Sequence, residues 1–186
     1  METVHTLKIT LRHSKPGIWR RVEVPSTISL QALHKVVQGL FGWEECHLWV
    51  FETPVGDYGL SDPEFGHRSA ASKKLRQVAP GVGDPFGYLY DFGDNWRHEI
   101  LVEDIAAAEP GVAYPRCVGG KQAGPPEDCG GIGGYERLRE ILADPGHDEH
   151  EDMLSWLGLD SADEWAPARF DLLAANRALT RRVLVR

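Results

Sequence analysis

Alternation opens the chain. Leu7, Ile9 and Leu11 are apolar while Lys8, Thr10 and Arg12 between them are polar, the period-two signature of a half-buried strand. Pro16-Gly17 supplies a turn, and Ile18 to Val24 returns as a second strand with Ile18, Val22 and Val24 on one face. Pro25 ends it. Past Ser29 the period changes: Leu30, Leu33, Val37, Leu40 and Phe41 recur at helical spacing. Ser29 can accept from the first free amides of a helix over 30–41, and Gly42 is placed to stop it. His47 to Glu52, HLWVFE, reads as a third strand. From 53 to 87 no period persists and Gly, Pro, Asp and Ser are frequent. The pattern predicts a surface excursion with one short element near Lys74 to Val78.

Tyr88 to Glu103, YLYDFGDNWRHEILVE, is the stretch around which the chain is organised. An aromatic strand turns through Asp91, Gly93, Asp94 and Asn95, residue types that suit positive φ or local hydrogen bonding, and returns as a second strand. On the return Trp96, His98, Ile100 and Val102 share one face. That places His98 on the apolar side. An imidazole there needs a partner, since an unpaired buried polar group costs about 1–3 kcal/mol. Asp91 and Asp94, across the turn, are the nearest candidates.

After Glu103 the texture shifts to loops and helices. Residues 109–134 are rich in Gly and Pro, yet they also carry Tyr114, Cys117, Glu127, Asp128 and Cys129, which predicts an ordered loop packed near the hairpin rather than a linker. Tyr135, Leu138, Ile141 and Leu142 mark a short amphipathic helix ended by Pro145. Asp171 caps a last helix carrying Leu172, Leu173, Ala175 and Leu179. The expected architecture is α+β: a mixed sheet with a crossing helix, β-grasp-like, in residues 1–104, and the Gly/Pro-rich loop and C-terminal helices of 105–186 packed on it as one structural unit.

Composition narrows the class. At 186 residues with 42% hydrophobic residues and six tryptophans the chain can build a core. It has no apolar run of the ~20 residues that span a membrane. The N-terminal segment METVHTLKIT alternates like a strand and lacks a secretory apolar region, pointing to a cytoplasmic protein. Cys46, Cys117 and Cys129 are too few, and odd in number, for a disulfide framework. A net charge of −8 weighs against general binding to a phosphate backbone.

Long, specific runs of the sequence carry a resemblance: IWRRVEVP, LHKVVQGLFGW, YDFGDNWRH, PPEDCGG with GGYERL, and FDLLAANRAL. They are similar to the plasmid pRiA-type Orf-three-like domain family, some members of which are described as passenger proteins of insertion elements. The family's recurrent positions fall on Tyr90, Asp91, Gly93, Asp94, Trp96, His98, Cys117, Pro125 to Gly131 and Tyr135. The resemblance implies an accessory role beside a transposition-related partner protein and lends no reaction.

Weighed for chemistry, Asp91-Phe92-Gly93 has none of the other protein-kinase motifs around it, and the paired glycines at 119–134 lack phosphate-loop spacing. Cys117 and Cys129 with His98, His147 or His150 could hold zinc in a tetrahedral set. His98 paired with an aspartate beside Glu127-Asp128 would make a polar pocket, with Cys129 the one tempting nucleophile. The competing account of the same residues is a buried network that fixes the hairpin to the Gly/Pro loop. The sequence therefore predicts a non-enzymatic binding or accessory module whose pocket is lined by Asp91, Asp94, Trp96, His98, Glu127 and Asp128. The rival is a small metal-dependent, hydrolase-like enzyme using that cluster with Cys117 or Cys129.

Overall fold

The unbroken alternation of the return strand makes it the spine of the molecule. Trp96, His98, Ile100 and Val102 are buried while Arg97, Glu99 and Glu103 lie at or near the surface. The computed structural model describes residues 2–60 and 66–184. In chain order the elements are β1 (Thr3–Leu11), β2 (Trp19–Pro25), α1 (Leu30–Phe41), β3 (Trp49–Thr53), β4 (Gly56–Gly59) and β5 (Arg68–Ser69). There follow β6 (Pro85–Tyr90), β7 (Trp96–Ala107), β8 (Arg116–Lys121), α2 (Gly131–Ala143), α3 (His150–Leu157) and α4 (Leu172–Leu179). One sheet runs β5-β4-β3-β6-β7-β1-β2-β8, with every pair antiparallel except β4 and β5. The architecture is the α+β mixed sheet with a crossing helix that the pattern predicts.

Helix α1 forms where the period of the apolar residues changes, and its ends match the sequence signals. The Ser29 hydroxyl accepts from Ala32 N at 3.1 Å, and Gly42 sits at φ 84°, in the left-handed region where a side chain would be strained. Its apolar stripe lies on the sheet with Leu7, Ile9, Leu11, Tyr88 and Trp96 in one core. Two polar residues, His34 and Gln38, are buried in that stripe. The Tyr88 hydroxyl satisfies both, accepting from Gln38 Nε2 at 3.1 Å and donating to His34 Nδ1 at 2.7 Å.

Three departures from the sequence reading matter for the site. The third strand starts at Trp49, so His47 sits in the loop before it. Two short strands, β4 and β5, form within the 53–87 excursion, and the one short element expected near Lys74 to Val78 is a turn of 3₁₀ helix at Leu75–Gln77. Strand β8 lies inside the Gly/Pro-rich stretch and carries no apolar alternation. Gly120 is there for contact: a Cβ on it would meet the Phe170 ring at 2.7 Å. Helix α4, capped by Asp171 as predicted, packs on α1 and on β8, where the Asn176 side chain bonds both the N–H and the C=O of Cys117 at 2.9 Å. Helices α2 and α3 pair over a small separate core of Leu138, Leu142 and Leu154. No helix among the described residues is long and apolar enough to cross a membrane.

Candidate metal-binding site

Three connecting segments meet at one end of the sheet, and each is fixed by its own backbone chemistry. The first is the β6–β7 turn. Asp91 and Asn95 adopt left-handed φ of 53° and 58°, Asn95 N donates to Asp91 O at 2.7 Å, and Gly93 N donates to Asp91 Oδ1 at 2.9 Å. Short polar side chains tolerate that conformation because they bond locally. With Oδ1 so used, Asp91 Oδ2 faces His47 Nε2 at 3.8 Å.

The second segment, residues 42–48, carries His47. Side chains reach in to accept its amides in succession: Glu44 N donates to Glu127 Oε2 at 2.9 Å, Glu45 N to Gln38 Oε1 at 2.9 Å and Cys46 N to the Tyr90 hydroxyl at 3.1 Å. Asp91 N donates back to Leu48 O at 2.9 Å. The loop is thus stitched to α1, to β6 and to the third segment.

That third segment is 125–131. Trp43 Nε1 donates to Pro125 O at 3.0 Å, the Tyr90 hydroxyl donates to Glu127, and Gly130 N donates to Asp94 Oδ2 at 3.1 Å. Burial first, then the bond to Glu127, holds the Tyr90 hydroxyl well above its ordinary pKa, so it stays a donor. Gly131 has φ 67° and no room for a side chain, since a Cβ there would lie 2.3 Å from Asp94 O. Asp128, left-handed at φ 56°, is thereby held with Oδ1 3.0 Å from His47 Nε2.

One imidazole nitrogen and one oxygen from each of Asp91 and Asp128 therefore lie within 4.8 Å of one another. The 3.0 Å approach of Asp128 is not aligned as a hydrogen bond, and His47 Nε2, itself shielded from solvent, has no hydrogen-bond partner. Two donors bound at about 2.1 Å to one cation lie about 3.0 Å apart in an octahedral sphere and about 3.4 Å apart in a tetrahedral one. The 3.0 Å and 3.8 Å separations of His47 Nε2 from Asp128 Oδ1 and Asp91 Oδ2 bracket that spacing. Exposure grades outward, with side chains 13% exposed at Asp91, 30% at His47 and 68% at Asp128, so the cluster opens to solvent on the Asp128 side. Among the described residues His47 is the one basic side chain within ion-pair distance of either aspartate. Loss of solvent first, then the carboxylates of Glu127, Glu44 and Asp128, push the neighbouring Cys46 thiol up, a sign of the negative field here. One imidazole with two carboxylates suits first-row dications such as Zn²⁺ or Mn²⁺.

The site residues expected from sequence separate into three groups. Asp91 and Asp128 belong to the cluster. Asp94 and Glu127 border it, with their oxygens committed to Gly130 N, Glu44 N and Tyr90. Trp96 and His98 lie beneath, fully buried, and neither aspartate reaches His98. Its Nδ1–H donates to the Trp96 carbonyl at 3.0 Å, its ring packs edge-on against Phe41 and Trp43, and burial pushes its pKa down to about 3. The carboxylates stay in the wet turn because burying their charge would cost far more than the bond returns. His98 Nε2 and Trp96 Nε1 have no hydrogen-bond partner.

The expected zinc set does not assemble: among the described residues Cys117, Cys129 and His98 do not converge to ligand spacing. Cys117 is buried on β8 with its thiol toward Gly119 O at 3.5 Å, and burial raises its pKa. Cys129 is pushed up to about 12, by burial and then by Asp94. Both are therefore neutral thiols at ordinary pH and poor nucleophiles. His150 is also used internally, its Nδ1 against Ile141 O at 3.0 Å. The residue that sequence reasoning missed is His47, absorbed into a strand by the HLWVFE pattern. The signal was its place just after the helix-ending Gly42 and before an aromatic strand, where a side chain can face a neighbouring turn.

Comparison with known proteins places these segments in a family. The chain is 40% identical over 180 residues to the uncharacterized protein y4hQ of Sinorhizobium fredii strain NGR234, spanning 95% of this chain and 91% of that one. It superposes with a TM-score of 0.84 on the crystal structure of MM3350, a protein of unknown function from Methanosarcina mazei Go1, at 37% identity over 93% of this chain and 97% of that one. Residues 3–174 match the profile of the plasmid pRiA4b ORF-3-like proteins, and all three segments of the site lie within that match: the chain belongs to the plasmid pRiA4b ORF-3-like protein family.

Proposed function

We propose that this protein is a binding module of the accessory type whose ligand site is built on a divalent cation held by His47, Asp91 and Asp128, with Asp94 and Glu127 as positioning residues. The observation that carries the reading is the convergence of three ligand atoms within 4.8 Å from three separate loops, two of them on left-handed aspartates. Non-glycine residues in that conformation cost of order 1–3 kcal/mol each and gather at functional sites. Membership of the family supports the accessory role, alongside a mobile-element partner protein. The hydrolase reading loses its support, because the thiols it relied on are neutral and stand apart from His98.

Isothermal titration of the EDTA-stripped, dialysed protein with ZnCl₂ and with MnCl₂ tests the site. One ion per chain is expected for at least one of the two metals, with affinity at least tenfold weaker in His47→Ala, Asp91→Asn and Asp128→Asn. Asparagine keeps the left-handed backbone at both aspartates, so those variants isolate the charge. Affinity should also fall at acid pH, because the imidazole must bind without its proton. Absence of saturable binding, or binding that the three substitutions leave unchanged, would refute the site.

A further inference from the structure

Asp128 faces two ways. It belongs to the cation cluster and also to the rim of a cleft of about 240 Å³ between α2 and α3, whose walls are Leu138, Ile141, Met153 and Trp156. We propose that this cleft holds the apolar body of a ligand whose neutral oxygen donor, an amide carbonyl or a hydroxyl, completes the coordination of the cation. The proposal rests on the cation reading above and adds the class of ligand.

Size sets the body. A cavity of roughly 150 Å³ lined by apolar side chains is enough for one benzene ring. The cleft thus takes a single ring or a branched alkyl group with a short connector. Trp156 stands at its edge 47% exposed, a large apolar side chain left uncovered where contact with a ligand would use it. Met153, half-buried beside it, is flexible enough to close on bodies of different outline.

Charge sets the donor. A dication cancels Asp91 and Asp128, and at the rim Arg137 is paired with Glu149 at 2.5 Å. Asp94 and Glu127 remain as uncancelled carboxylates beside the cluster, each held on backbone amides. A ligand bringing a further carboxylate is opposed there, whereas a carbonyl or hydroxyl oxygen meets the cation without that repulsion. Three protein ligands leave at least one position for it.

The test is ligand-observed NMR titration of the full-length protein with N-acetylphenylalanine amide, a neutral probe bearing one ring and two amide carbonyls. It is run after EDTA treatment and again with saturating ZnCl₂ or MnCl₂. Binding should be at least fivefold tighter with metal, and at least fivefold weaker in Trp156→Ala and Met153→Gln, the first an exposed and the second a half-buried side chain, neither a ligand of the cation, so that metal uptake by calorimetry stays unchanged. Acetamide, which lacks the apolar body, should not compete. Metal uptake without probe binding, or probe binding indifferent to metal, overturns this proposal and leaves the cation site standing. Tighter binding of N-acetylphenylalanine than of its amide overturns the neutral class. Failure to take up metal at all overturns both readings together.

Discussion

Replacing His98 by phenylalanine should flatten the acid side of the stability curve. The ring is fully buried, and burial holds its folded-state pKa down to about 3, whereas an imidazole in the unfolded chain titrates near 6.5. Between those values the unfolded chain takes up a proton that the folded chain refuses. Stability from the neutral ring is therefore complete above about pH 6.5 and is lost as pH falls toward 3. At pH 5 the unfolded chain is about 1.5 pH units below its midpoint, and at about 1.4 kcal/mol per unit the loss is about 2 kcal/mol. Phenylalanine keeps the edge-on packing against Phe41 and Trp43 but cannot titrate. It also leaves the Trp96 carbonyl without its donor, which lowers stability by about 1 kcal/mol at every pH. The assay is urea unfolding by tryptophan fluorescence at pH 7, 6 and 5 for both chains. Carboxylates held below their usual range, such as Glu103 beside Arg21, also weaken the fold on acidification, but they do so equally in both chains and drop out of the difference. Wild type should lose about 2 kcal/mol more than His98→Phe between pH 7 and pH 5. Curves that run parallel within about 0.5 kcal/mol would show that the ring is solvated or charged in the folded protein, and the reasoning would fail.

Three further substitutions probe the loops. Asp91→Ala removes the side chain that makes a φ of 53° tolerable and the bond to Gly93 N, so the urea midpoint should fall by the equivalent of about 1–2 kcal/mol while Asp91→Asn stays near wild type. Tyr90→Phe deletes the hydroxyl that bridges Cys46 N and Glu127; about 1–3 kcal/mol of stability should go, and calorimetry should show weaker metal binding because His47 and Asp128 lose a common anchor. Gly134→Ala places a Cβ 1.8 Å from Cys129 O, a backbone atom that cannot rotate away, so a lower melting temperature and at least tenfold weaker metal uptake are expected as the Asp128 segment is displaced.

How far the sequence could be read depended on whether an element's logic was local. Helix α1 is local: Ser29, the apolar spacing and Gly42 each act within one turn, and both ends fall where those residues place them. The β6–β7 hairpin is local too, and its turn falls where Asp91, Gly93 and Asn95 place it, with Asp91 and Asn95 left-handed. Strand β8 is not. Its reason for being a strand lies in β2 on one side and in Phe170 and Asn176 on the other, fifty or more positions away, and a glycine that admits a ring looks like part of a linker when read alone. His47 failed to appear for the same reason. Nothing beside it in the chain needs an imidazole; Asp91 and Asp128 do, and they come to it through hydrogen bonds among three loops. The thiols failed in the opposite direction, since a cysteine's residue type advertises reactivity that the burial of Cys117 and Cys129 withdraws.

The side chain of Asn176 has a consequence for the protein's behaviour among its neighbours. Strand β8 ends the sheet, and a bare edge strand offers its free amides and carbonyls as a template on which any extended peptide can add itself. The carboxamide of Asn176, presenting an acceptor to Cys117 N and a donor to Cys117 O, occupies that rung as the backbone of a ninth strand would, but with no continuing chain to pass the pairing on. Helix α4 is in this sense a stopper: it closes the edge of the sheet to the addition of a further strand.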